Sequence, residues 1–73
     1  MDSLSNLEKE IVILVAKGYS NREIAEKLRL AKQTVRNYLS IIYEKLGVHN
    51  RVALSNLAHE RGWVQKDDND LEK

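Results

Sequence analysis

The sequence predicts an all-α domain of four short helices, and three observations predict it. Proline is absent, and no stretch alternates apolar with polar residues in the manner of a strand. Apolar residues instead recur at helical spacing in four segments. Residues that cap helix starts, and glycines that end helices, bracket those segments. A chain of 73 residues makes one domain at most, with a modest core.

Met1–Leu4 is expected to fray. Ser5-Asn6-Leu7-Glu8 has the form of a capping box, a serine hydroxyl for the third helical amide and a glutamate reaching back. Leu7, Ile11, Leu14 and Val15 follow at helical spacing with Val12 beside them, and Gly18 stops this first helix. Ser20-Asn21-Arg22-Glu23 is a second capping box, with Tyr19 and Ile24 placed for a hydrophobic staple. It opens a short helix from Asn21 to Leu28 that buries Ile24, Ala25 and Leu28. Arg29-Leu30-Ala31 is a tight connection into a third helix, which gives the pair a helix-turn-helix arrangement. The turn lacks glycine and Ala31 is a poor N-cap, so the third helix is expected to start without a side-chain cap. That helix runs from Lys32 to Leu46, with Val35, Leu39, Ile42 and Leu46 on one stripe. Gly47 ends it, and Val48 can close on Tyr43 as in a Schellman cap. Asn50 caps a fourth helix that buries Leu54, Leu57 and Ala58 and runs to about Arg61, with Gly62 ending it. Trp63 and Val64 are expected to fold back as an apolar lid. Residues 1–64 form the domain, and the acidic stretch 65–73, without periodicity, is expected to be disordered.

Composition excludes several functions. With no cysteine there is no disulfide framework, thiolate metal site or cysteine nucleophile. No apolar run approaches the ~18 residues of a membrane span. The absence of cysteine makes a reducing, cytoplasmic location the default, and MDSLSNLEKE lacks the basic and apolar segments of a signal peptide. His49 and His59 are not at metal-ligand spacing and read as surface histidines. There is no nucleophile paired with a base, no glycine-rich phosphate loop and no cofactor motif, so no enzyme, cofactor or small-molecule ligand is expected.

The net charge of +1 hides an asymmetry. The tail carries Asp67, Asp68, Asp70 and Glu72 against Lys66 and Lys73, which leaves +3 on residues 1–64. Between Arg29 and Arg51, five cations face Glu44 alone. This suits a polyanion, although a merely solvated basic face accounts for charge alone equally well. The third helix adds the chemical argument. Opposite its apolar stripe stand Gln33, Arg36, Asn37, Ser40 and Glu44, with Thr34 and Lys45 on one flank and Lys32 and Tyr43 on the other. Arg, Gln and Asn carry the paired hydrogen-bonding groups that fit base edges in the major groove. Lys32 and Lys45, as flexible point charges, suit phosphates better. Tyr38 lies at the edge of the buried stripe and reads as core. Glu8 and Arg51 either pair across the first and fourth helices or act separately, as a capping carboxylate and a phosphate-facing arginine. A helical protein-interaction module is the rival reading, but it calls for an aromatic, Leu or Met anchor on that outer face, where amides and arginine stand instead.

The chain resembles the LuxR/GerE-type helix-turn-helix family from Leu4 to Val64. The resemblance rests on LSNLEKEIVILVAKGYSNREIAEKL, TVRNYLSIIYEKLGV and NRVALSNLAHERGWV. Within these, Gly18-x-Ser20-Asn21-x-Glu23-Ile24-Ala25, Thr34-Val35-Arg36 and Lys45-Leu46-Gly47-Val48 carry it by their joint spacing. The last of them argues against the promoter-recognition domain of a sigma factor. The resemblance implies a four-helix transcription-regulator domain that binds duplex DNA, found as the effector of response regulators in two-component systems or quorum-sensing receptors, or free-standing. Met1 lying so near the first helix fits either a free-standing regulator or a cut domain. Gln33, Arg36, Asn37 and Ser40 would read bases, while Ser20, Asn21, Lys32, Thr34, Lys45 and Arg51 would hold phosphates. The fourth helix would form a weak, DNA-assisted homodimer through Val52, Ala53, Asn56 and Glu60, and RNA polymerase is a further partner that the resemblance admits. Leu7, Ala31, Tyr38 and Leu54 depart from the family's common basic residue, serine, histidine and alanine, and Ser40 is shorter than the basic residue some members use.

Overall fold

The computed structural model describes residues 3–64 and contains four helices, α1 (Asn6–Ala16), α2 (Asn21–Leu28), α3 (Lys32–Leu46) and α4 (Arg51–Glu60). The acidic stretch 65–73 lies outside the described residues. Helix α1 packs most extensively on α4, α2 packs on α3, and α1 also touches α2 and α3. Ile11, Val12, Ile24, Val35, Ile42, Leu54 and Ala58 have no exposed surface. Each buried isoleucine, leucine or valine contributes about 1.5–3 kcal/mol relative to an exposed one. Ala25 is buried on the α2 surface, where its small side chain lets α3 approach. Val64 is buried and Trp63 packs against the same cluster, closing the core beyond α4. No helix of the described residues is long and apolar enough to cross a membrane.

Both capping boxes are present. The Ser5 hydroxyl accepts the Glu8 N–H at 3.1 Å while the Glu8 carboxylate accepts the Ser5 N–H at 2.8 Å; Ser20 and Glu23 repeat this at the same distances. Asn50 caps α4 by accepting the Ala53 N–H at 2.8 Å. The helix ends also follow one pattern. After α3, Gly47 turns left-handed (φ 70°) and Val48 donates back to the Tyr43 carbonyl at 3.0 Å. The same closure runs from Tyr19 to Leu14, from Leu30 to Ala25 and from Trp63 to Ala58. At the end of α2 the left-handed residue is Arg29 (φ 60°), where an L side chain costs roughly 1–2 kcal/mol. The helix-turn-helix connection thus makes the tight turn of a glycine cap without a glycine.

Two expectations are corrected. Leu4 does not fray: it is 6% exposed and belongs to the core cluster, and the neighbouring Ser3 carbonyl accepts a hydrogen bond from Lys45. Leu57 is only half-buried and lies outside the core cluster, which leaves Leu54 and Ala58 as the buried pair of α4. Leu28 and Leu46 are likewise half-buried, although both pack against the cluster.

Ala31 occupies the N-cap of α3 in extended conformation and makes no side-chain cap bond. Ala31→Ser is therefore expected to stabilise the protein by about 0.5–2 kcal/mol, because serine would satisfy an open first-turn amide. Chemical denaturation of both forms measures this, and an unchanged midpoint would mean that those amides are already satisfied.

Candidate nucleic-acid interface

The fold buries the Val35, Leu39 and Ile42 stripe of α3 and turns its opposite face outwards. Lys32, Gln33, Arg36, Asn37, Ser40, Ile41 and Glu44 are exposed along that face, and Thr34 is half-buried at its flank. One hydrogen bond organises the amides: Gln33 Nε2 donates to Asn37 Oδ1 at 3.0 Å. Asn37 is thereby held with its own amide hydrogens free to donate. No side chain caps the start of α3, so the first-turn N–H groups and the positive end of the helix dipole meet solvent beside Lys32.

A second cluster joins the starts of α2 and α4. Arg51 Nη1 donates to Asn21 Oδ1 at 2.7 Å, and Arg51 Nη2 donates to the Tyr19 carbonyl. The guanidinium is half-buried and fixes the Asn21 carboxamide with its N–H groups pointing away from the arginine. The Ser20 hydroxyl oxygen is occupied by the Glu23 amide, which leaves its hydrogen to donate. Asn21 and Arg51, both expected to hold phosphate, are thus brought together, 30 residues apart in sequence.

Lys45 stands apart from both clusters. Its ammonium lies 3.0 Å and 3.3 Å from the two Glu8 carboxylate oxygens and 3.0 Å from the Ser3 carbonyl. A phosphate would have to compete with that pair. Glu8 accordingly pairs with Lys45 across α1 and α3, and not with Arg51 across α1 and α4. The Ser5 backbone N–H, followed by the Lys45 ammonium, holds the Glu8 carboxyl below its ordinary value, against the opposing push of burial. On α4, Val52, Asn56 and Glu60 are exposed, with Ala53 half-buried beside them.

These residues lie within a wider similarity. The pattern of the family described as "Bacterial regulatory proteins, luxR family" matches residues 2–58. The chain belongs to the luxR family. Its fold is similar to that of the transcription factor GerE, with a TM-score of 0.76 and 33% identity over 88% of this chain and 96% of that one. It is 47% identical over 62 residues to the transcriptional regulatory protein DesR of Bacillus subtilis (strain 168), spanning 85% of this chain and 31% of that relative. It is 59% identical over 49 residues to the probable HTH-type transcriptional regulator GfsR of Streptomyces halstedii, covering 67% of this chain and 20% of that protein. The chain thus spans less than a third of the length of these relatives. Helices α2 and α3 are the helix-turn-helix of a luxR-family DNA-binding domain.

Within this luxR-family domain, several partners had no local sequence signal. Glu8 and Lys45 are 37 residues apart, and nothing in their spacing joins them. His59 is exposed, yet its ring Nε2 donates to the Ala16 carbonyl at 3.0 Å and ties α4 to the end of α1. The Gln33–Asn37 bond did have a signal, since residues four apart on a helix are neighbours. The same spacing puts Ile41 on the outer face, an apolar side chain among polar ones.

Proposed function

We propose that this domain is the DNA-reading part of a bacterial transcription regulator, with α3 in the major groove. Gln33, Arg36, Asn37 and Ser40 read base edges; Ser20, Asn21, Lys32 and Thr34 meet phosphates; Arg51 sets Asn21 and adds charge beside it. Lys45 serves first as a strut under α3. The observation that carries this reading is the outer face of α3, which is exposed over four turns, rich in amides and arginine, and free of acid before Glu44. On a promoter, the further partner is RNA polymerase.

Affinity for duplex DNA is expected to fall steeply with salt, because Arg29, Lys32, Arg36 and Arg51 displace counterions from phosphates. Titration at several ionic strengths measures the slope. Salt-independent binding, or no binding to DNA beside tight binding to a protein, would favour the interaction-module reading.

Pairing is assigned to α4. Val52 is 69% exposed, with Ala53 and Asn56 beside it, Glu60 two turns further along the helix, and the half-buried Leu57 next to Ala53 on the helix surface. This patch is far smaller than the ~1,200–2,000 Å² of a stable interface, so the free domain is expected to be monomeric at micromolar concentration. Two adjacent half-sites raise the effective concentration and are expected to be filled cooperatively. Val52→Glu should remove the cooperativity and leave single half-site binding nearly intact, since it puts a charge in the contact and touches no base-reading residue. Binding to one-site and two-site duplexes, together with sedimentation, tests this. A tight dimer in solution, or undiminished cooperativity in the variant, would move the contact elsewhere.

A further inference from the structure

Among the described residues, the exposed large hydrophobic side chains are Val52 and Ile41. Val52 belongs to the α4 patch. Ile41 is 44% exposed, outside the core cluster, on the outer face of α3 one turn beyond Asn37. Its neighbours one turn away on the helix are Asn37, Glu44 and Lys45, which are exposed and polar, and Tyr38, which is half-buried against the core cluster. No exposed aromatic, leucine or methionine stands among them to anchor a protein partner.

We infer that Ile41 is a specificity residue that reads the C5-methyl group of a thymine, beside an adenine read by Asn37; this rests on the placement of α3 in the major groove proposed above. Thymine's methyl is the apolar feature that base edges present in that groove, and apolar side chains distinguish it from cytosine. A β-branched side chain on a helix has one strongly preferred rotamer, so Ile41 offers a rigid apolar knob in place of a mobile one. Asn37 is held by Gln33 through its carbonyl oxygen, which keeps a second lone pair beside an amide nitrogen that this bond leaves unengaged, and together these match the N6 donor and N7 acceptor of adenine. One helical turn advances about 5.4 Å. Successive base pairs are about 3.4 Å apart, which puts the thymine one or two steps from the adenine. The row Gln33, Asn37, Ile41 then prefers A·T pairs spaced one or two steps apart, while Arg36 and Ser40 read the pairs beside them.

The test uses the duplex that the domain prefers after selection from random DNA. Each thymine is replaced in turn by uracil, which lacks the methyl and keeps the same hydrogen-bonding edge. The wild-type domain should lose about three- to tenfold in affinity at one thymine, the scale of one apolar contact. Ile41→Ala should bind the thymine and uracil duplexes equally, and Ile41→Val should keep part of the preference. Denaturation midpoints confirm that the exposed position leaves the fold intact. Indifference of the wild type to every replacement, or an unchanged thymine preference in Ile41→Ala, overturns the inference and leaves sequence-specific DNA binding standing. A selection that yields no preferred duplex overturns both.

Discussion

Lys45→Ala is expected to destabilise the domain by about 2 kcal/mol, a fall of roughly 10 °C in Tm for a domain of this size. The Glu8 carboxylate that it would leave behind is 5% exposed, and the Ser5 N–H alone would remain to compensate it. Removing one partner of a fully buried pair costs roughly 3–5 kcal/mol. The Lys45 side chain is 36% exposed, so water screens part of the interaction and the lower figure applies. The same pair sets an acid dependence. Because the folded state holds the Glu8 carboxyl below its ordinary value of 4.5, the unfolded chain binds the proton more readily. The stabilisation is therefore complete above 4.5 and is lost as pH falls below it through the lowered folded value. Glu8→Gln should remove this contribution to the acid loss, and Lys45→Ala should shrink it; denaturant midpoints at neutral and acid pH measure both. Binding separates the strut from a phosphate contact. A strut leaves the salt slope of the folded variant unchanged, whereas a slope reduced by about one would return Lys45 to the phosphates.

This pair marks where local reading of the sequence stops. Ser5 with Glu8, Ser20 with Glu23, and Asn50 were legible because a cap and its target lie three residues apart, within one helical turn. The α3 stripe was legible because its period is the helix's own. Leu4 was not, because the position it would staple is Lys9, which offers no apolar partner; it is instead covered by other elements. Leu57 misled for the converse reason: periodicity assigns it to a side of α4, but how far the neighbouring helix reaches decides whether that side is covered. The left-handed Arg29 gave no warning either, since its conformation is imposed by closure of Leu30 on Ala25 and not by its own preference. On the candidate interface, the outward face of α3 could be read from the chain. The clamp of Arg51 on Tyr19 and Asn21 could not, because it depends on how α4 returns to the start of α2.

Arg36→Ala is expected to cost about 1–3 kcal/mol on the preferred duplex, roughly 5- to 150-fold in affinity, and to relax the preference at one base pair. Arg36 is exposed near the start of α3, where a recognition helix sits deepest in the groove. Its guanidinium enters no hydrogen bond or ion pair within the structure's described residues, in contrast to Arg51 and Lys45. Glu44, the acid on this face, lies two turns away and does not hold it. Among the described residues, binding DNA thus breaks no contact of Arg36, and its planar fork matches the O6 and N7 acceptors of guanine. Arg36→Lys keeps the charge and loses the fork, so it should recover the affinity for scrambled duplexes but not the base preference. Titrating both variants against preferred and scrambled duplexes at one salt concentration decides the role. If Arg36→Ala lost affinity equally on both duplexes and Arg36→Lys restored it equally, Arg36 would be a phosphate contact, and base reading would rest on Gln33, Asn37, Ser40 and Ile41.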